Sequence, residues 1–173
     1  MQRIPFLLVA IATLAGVVAS MAPAGGHSDE AAAPIFGITI PPGYRDWRLI
    51  SVAHEEGNLN DLRALLGNDV AIKAYREGKL PFPDGTIIAR LAWTYVPSEE
   101  NNKVFGRAQS FVPGSATNVQ FMFKDSRKYA ATGGWGFAQF NNGKAANEAL
   151  LKTCFPCHEP FKAGDFVFTH YAP

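Results

Sequence analysis

Cys154-Phe155-Pro156-Cys157-His158 places two thiols and an imidazole within one short stretch, and the chain has no other cysteine. Two thiols three positions apart can add to the two vinyl groups of one porphyrin. The histidine directly after the second thiol is then set beneath the iron as its axial ligand. These residue types at this spacing point to one covalently attached haem c, with Cys154 and Cys157 as the attachment residues and His158 on the iron. Other uses of the same groups fit less well. A thioredoxin-like redox pair does not require the adjacent histidine, and it expects a strand before it and a helix after it, where Pro160 sits badly. A structural zinc site needs about four ligands, and those beyond the two cysteines would have to come from His27, His54, His158 and His170, which have no paired spacing. A disulfide across two residues closes too small a loop to stabilise much.

A haem held in this way needs a pocket, which the rest of the chain must build outside the cytoplasm. Residues 1–24 carry Arg3, an apolar run from Ile4 to Val18 and small residues ending in Ala22-Pro23-Ala24, the pattern of a cleavable secretory signal peptide. The run is short for a membrane span, and an uncleaved amino-terminal anchor is the alternative. Residues 25–34 are small and polar, a flexible leader, and residues 35–173 make a single domain. Without Arg3 the chain has fifteen basic and fifteen acidic residues, so its charge suggests neither nucleic acid nor an anionic membrane as partner. Export agrees with covalent haem attachment, which is carried out beyond the bacterial cytoplasm. A periplasmic protein is expected.

The domain reads as β-rich. Ile38-Thr39-Ile40 is a short extended piece closed by Pro41-Pro42-Gly43. Arg48 to His54 alternates like a strand, and Asp61 to Leu66 is its hairpin partner, with a helix as the other option. Asn68 or Asp69 caps a helix over Val70 to Glu77 that Gly78 stops. After the Pro81-Phe82-Pro83-Asp84-Gly85 turn, Thr86 to Val96, Val104 to Val112 and Asn118 to Lys124 are rich in aromatic and branched residues and read as strands. Asp125-Ser126 caps one helical turn, and Trp135 to Phe140 is a further strand. Ala145 to Thr153 forms a helix that delivers the cysteines and ends at Pro156. Asp165 to His170 reads as a last strand. The expected fold is therefore α+β, mainly an antiparallel sheet of about five strands, with two or three helices packing around the haem c.

The thiol motif near the carboxyl end is one of several shared features. Gly43-Tyr44-Arg45-Asp46-Trp47, the Phe82-Pro83-Asp84-Gly85-Thr86 turn before a strand, and Gly133-Gly134-Trp135-Gly136-Phe137 before the haem helix complete the set. Together they resemble the cytochrome P-460 family and the related cytochromes c′-beta, from about Tyr44 to Pro160. The resemblance implies a homodimer of β-rich subunits, a five-coordinate haem c and chemistry with hydroxylamine or nitric oxide. Hydroxylamine-oxidising members carry a lysine cross-linked to the porphyrin on the strand after this turn. Arg90 stands at the corresponding place, and Lys124 is the alternative lysine. A guanidinium stays protonated and is a poor nucleophile, so the resemblance favours a binding protein over an oxidase.

The distal side of the haem has few candidate ligands. Met122, the one methionine beyond the signal peptide, lies in Phe121-Met122-Phe123 and reads as core; His54 and His170 sit among strand residues. An iron capped by rings drawn from Phe82, Trp93, Phe105, Phe111, Phe121, Phe123 and Phe137 is expected. Arg90 and Glu148 are the polar distal candidates. Glu148 could serve as a base in hydroxylamine oxidation or be a solvated helix residue; Arg90 could meet a haem carboxylate or a ligand, or be an exposed strand residue. The functions these groups allow are binding of nitric oxide or a similar small ligand, oxidation of hydroxylamine or nitric oxide, and, third, electron transfer to a partner cytochrome.

Replacing both thiols, Cys154→Ala with Cys157→Ala, should abolish haem that survives a denaturing gel. Haem retained on the gel by this variant would remove the attachment assignment.

Overall fold

The computed structural model describes residues 35–172; the signal peptide and leader expected in residues 1–34 lie outside them. The centre is a six-stranded antiparallel sheet whose strands lie in chain order: β1 (Arg48–Glu55), β2 (Asp61–Gly67), β3 (Ile87–Pro97), β4 (Phe111–Lys124), β5 (Trp135–Asn141) and β6 (Lys144–Ala145). Short helices fill the connections: α1 (Asp69–Glu77), α2 (Glu99–Phe105), α3 (Glu148–Leu151) and α4 (Cys154–His158), with a 3-10 segment over Glu159–Gly164. No helix among the described residues is long and apolar enough to cross a membrane.

Both sheet faces are covered, which is why β3 lacks a clean apolar and polar alternation. One face carries Ala89, Leu91, Phe121, Ala138 and Phe140, packed against Ile38, Tyr129, Ala146 and Leu151. The other carries Ile88, Trp135 and Phe137, packed against Ala71, Ile72 and Ala74 of α1 and against Phe82 and Val167. Asn68 joins α1 to the sheet. Its Oδ1 accepts from Ala71 N at 3.0 Å and Ile87 N at 3.1 Å, while its Nδ2 donates to Gly85 O at 2.8 Å. Gly78, at φ 59°, stops the helix as expected.

Four expectations are corrected. Val104 to Val112 is not one strand: Val104 and Phe105 belong to α2 and are exposed. Polar caps decide this, because Ser98 Oγ accepts from Asn101 N and Asn102 Oδ1 accepts from Gln109 N and Ser110 N. Pro113 and Gly114 do not interrupt β4, since register shifts at Trp93 let the pairing pass them. Pro156 does not end the haem helix. It lies in the first turn of α4, where a helix needs no backbone N–H donor. Asp165 to His170 is not a strand, because Asp165 and Phe166 take φ 51° and 65°. The two-residue strand β6, returning on Asn142-Gly143, was not foreseen; with it the sheet has six strands instead of about five.

Gly136 of β5 is needed for close packing. A Cβ built there falls 2.5 Å from Tyr129 Cζ, and Tyr129 is held by its hydroxyl donating to Phe36 O at 3.2 Å. Gly136→Ala should destabilise the fold by about 1–3 kcal/mol through overpacking, measured by denaturant unfolding with an unchanged slope.

Candidate functional site

The thiols lie on α4, directly after α3, whose first turn is capped by Asn147 Oδ1 accepting from Leu150 N at 2.9 Å. Leu151 is buried against the first sheet face and seats this short helix pair. Cys154 is half-buried where the two core clusters meet, and Cys157 is exposed; both thiols are free. Burial, aided by Cys157, pushes the Cys154 thiol pKa up. A helix, not a strand, precedes the motif, which disfavours the thioredoxin alternative. Among the described residues no group of three or more His, Cys, Asp or Glu could hold a metal ion.

His158 stands half-buried with its ring 5.2 Å from that of Phe137 and 4.9 Å from that of Phe168. Its Nδ1 lies 2.7 Å from Phe166 O. A carbonyl oxygen can only accept, so Nδ1 carries the proton and the neutral ring keeps its lone pair on Nε2. Burial holds the imidazole below the usual histidine range, with the bond to Phe166 acting against it. The side chain is therefore a neutral imidazole with one nitrogen oriented by the backbone and the other available to a metal.

The acceptor is fixed by a buried network. Asp165 takes Lys124 Nζ at 2.8 and 2.9 Å and Phe82 N at 2.9 Å on its carboxylate, and its main-chain oxygen accepts from Trp135 Nε1 at 2.8 Å. Lys124 also donates to Gly133 O at 3.2 Å. Lys124, the alternative lysine, is thus engaged in a buried ion pair. The ring of Phe166 occupies the space where Gly133 lacks a Cβ.

The sheet face beneath α4 changes character along its strands. Leu65, Met122 and Phe137 share one apolar cluster with Cys154 and Phe155. One register step from Met122 and Phe137 come Arg90, Gln120 and Gln139, paired across β3, β4 and β5, with Leu65 of β2 opposite Arg90. Gln120 Nε2 donates to Gln139 Oε1 at 2.6 Å, and Arg90 donates to Asn118 Oδ1 at 2.6 Å. Arg90 is half-buried, not exposed as one sequence alternative had it, and its Nε is buried without a partner among the described residues.

The remaining candidates are dispersed. Glu148 is exposed at the start of α3 and pairs with Lys152 at 2.6 Å, which is the solvated alternative. His54 is exposed and stacks on Tyr95, and His170 is exposed. Met122 is half-buried on the site face. Of the expected capping rings, Phe137 is at the site. Phe82 is core against Tyr75 and Trp135, and Trp93, Phe121 and Phe123 lie on the opposite face. Phe105 and Phe111 are exposed. Sequence reasoning missed Phe166, Asp165 and Asn118; Gly164-Asp165 carries a turn signal, but nothing local names their partners.

These residues fit a haem c. Two free thiols, an imidazole with Nε2 unengaged among the described residues, an apolar floor and a buried N–H without a partner among those residues lie on or against one sheet face. The family model for cytochrome P460 matches residues 41–169, a span that includes every strand and both α3 and α4. No curated protein matches the chain.

Removing one member of the Lys124 and Asp165 pair leaves a buried charge, so Lys124→Met and Asp165→Asn should each cost about 3–5 kcal/mol. The double variant should lose less than the two singles combined, as denaturant unfolding would measure.

Proposed function

The chain belongs to the cytochrome P460 family, and from that premise we propose that it is a periplasmic haem c cytochrome whose iron takes nitric oxide or a similar small ligand. The observation that carries this is the pair of free thiols on α4 beside an imidazole whose Nδ1–H is already engaged by Phe166 O. Cys154 and Cys157 hold the single haem covalently, and His158 Nε2 is its protein ligand. When bound, the haem supplies an iron centre for small ligands and single electrons. The chain's residues do the rest. The Phe166 carbonyl keeps the imidazole in one tautomer and orientation. Leu65, Met122, Phe137 and Phe155 keep water from the apolar floor and favour small neutral ligands. Among the described residues, His54 and His170 are exposed, and Met122 packs among apolar neighbours, which supports an open sixth position.

Hydroxylamine oxidation is the second function. It needs a base to take protons, and Glu148 is held at the surface by Lys152 while Lys124 is held by Asp165. These contacts support ligand binding over it. Electron transfer to a partner cytochrome comes third and would have Met122 or a histidine on the iron. Export rests on the signal peptide of residues 1–24. A homodimer is part of the same proposal, and the exposed Leu49 and Val52 of β1 offer it apolar surface.

The absorption spectrum of the purified holoprotein tests these functions. Ferric and dithionite-reduced samples should be high-spin, and the ferrous protein should bind nitric oxide. A ferrous Soret band far to the red of ordinary haem c would make hydroxylamine oxidation the function, and low-spin bands in both states would make it electron transfer. His158→Gly should alter the ferrous spectrum; an unchanged spectrum would exclude His158 as the ligand.

A further inference from the structure

Arg63 and Arg90 lie on adjacent strands of the site face, and among the described residues only Arg63 has an anion. Arg63 of β2 takes Asp61 at 2.7 Å and Glu55 at 3.0 Å. Arg90 of β3 makes no ion pair among the described residues. It donates to the neutral amide of Asn118, and its buried Nε–H reaches no acceptor. A guanidinium withdrawn from water ordinarily meets a carboxylate or phosphate, because its lost hydration is otherwise uncompensated. Burial, and then repulsion by Arg63, draw the Arg90 pKa down to about 10, so the group is still charged at neutral pH. The carboxylates of Asp61 and Glu55 favour its charge from a distance, but neither forms an ion pair with it. Asp61 and Glu55 are engaged by Arg63, and the amides of Gln120, Gln139 and Asn141 bond to one another.

The surroundings limit what could bring the missing anion. Leu65 of β2 is paired with Arg90 directly, and one register step along β4 and β5 the face is apolar with Met122 and Phe137, a floor on which Cys154 and Phe155 pack. A bound group that fits here is apolar where it meets this floor and anionic where it meets Arg90. A porphyrin has that division, since its vinyl carbons and its two carboxylates occupy different parts of the ring edge.

We propose that Arg90 is a binding residue for an oxygen anion carried in by the bound group, the edge carboxylates of the porphyrin being the source this placement favours. The proposal rests on the haem assignment above. A small free oxyanion such as nitrite has the same chemistry and is the other source.

The test uses the holoprotein and its Arg90→Gln variant, with Asn118→Asp as a second variant that leaves Arg90 in place and supplies it with an anion from its own chain. Covalent haem on a denaturing gel is checked first; its absence from the wild type would remove the haem assignment itself. With haem present, a porphyrin source predicts shifted propionate bending bands in resonance Raman spectra of both variants. It also predicts a lower reduction potential, since loss of a nearby positive charge favours ferric iron, and an unchanged nitrite affinity of the ferric protein. A free-anion source predicts unmoved bands and nitrite affinity weakened by about tenfold or more, the loss of one charge-assisted hydrogen bond. If covalent haem is retained and neither the bands nor the nitrite affinity moves in either variant, Arg90 binds no anion and the proposal is overturned.

Discussion

The buried contact between Lys124 and Asp165 is the constraint on which the orientation of His158 depends. Asp165 and Phe166 both hold left-handed backbone conformations without being glycine, which costs on the order of 1–3 kcal/mol each and persists only where the surroundings over-determine it. Here they do. The carboxylate is held by an ammonium from β4 and a backbone N–H from the loop before β3, and the adjoining carbonyl by the indole of β5. The chain is thereby bent so that the next carbonyl, that of Phe166, faces an imidazole eight residues earlier. The ion pair touches none of the thiols, yet it decides which nitrogen of His158 is left over.

The sheet contributes a surface of two kinds. A face covered along its whole length by helices would have been apolar, as it is at Ile88, which packs with Ala71, Ile72 and Ala74 of α1. Beyond the reach of α1 the same face carries guanidinium and amide groups in cross-strand register, because residues two apart on each strand share a face. The division between apolar floor and polar edge is thus a product of ladder register and of where one helix ends.

Local features were legible in the sequence where the physics is local. Alternation marked β1, Asn68 and Gly78 marked the ends of α1, and the spacing of Cys154, Cys157 and His158 was enough to propose an attachment site without any fold. The misreadings arose where local and distant effects compete. Side-chain caps from Ser98 and Asn102 outweighed the apolar look of Val104 and Phe105. The Asp165 segment looked like a strand because its two positive φ angles are maintained by partners on β4, on β5 and before β3. Arg90 was identified as a departure from the family resemblance, but its unpartnered Nε becomes visible only when the neighbouring strands are in register.

The two edges of the sheet are unlike. On one side β5 is buried along most of its length and is followed by the two residues of β6, so little strand is left to accept another chain. On the other, β1 offers eight residues with exposed Leu49 and Val52 and no outer strand among the described residues, its one further backbone contact being Ala172 N donating to Ile50 O at 2.9 Å. A molecule with a single open edge cannot add copies head to tail, because the second copy would need an open edge of the other kind. Through strand pairing it can join only the same edge of another copy about a two-fold axis, and such an association would be closed at two.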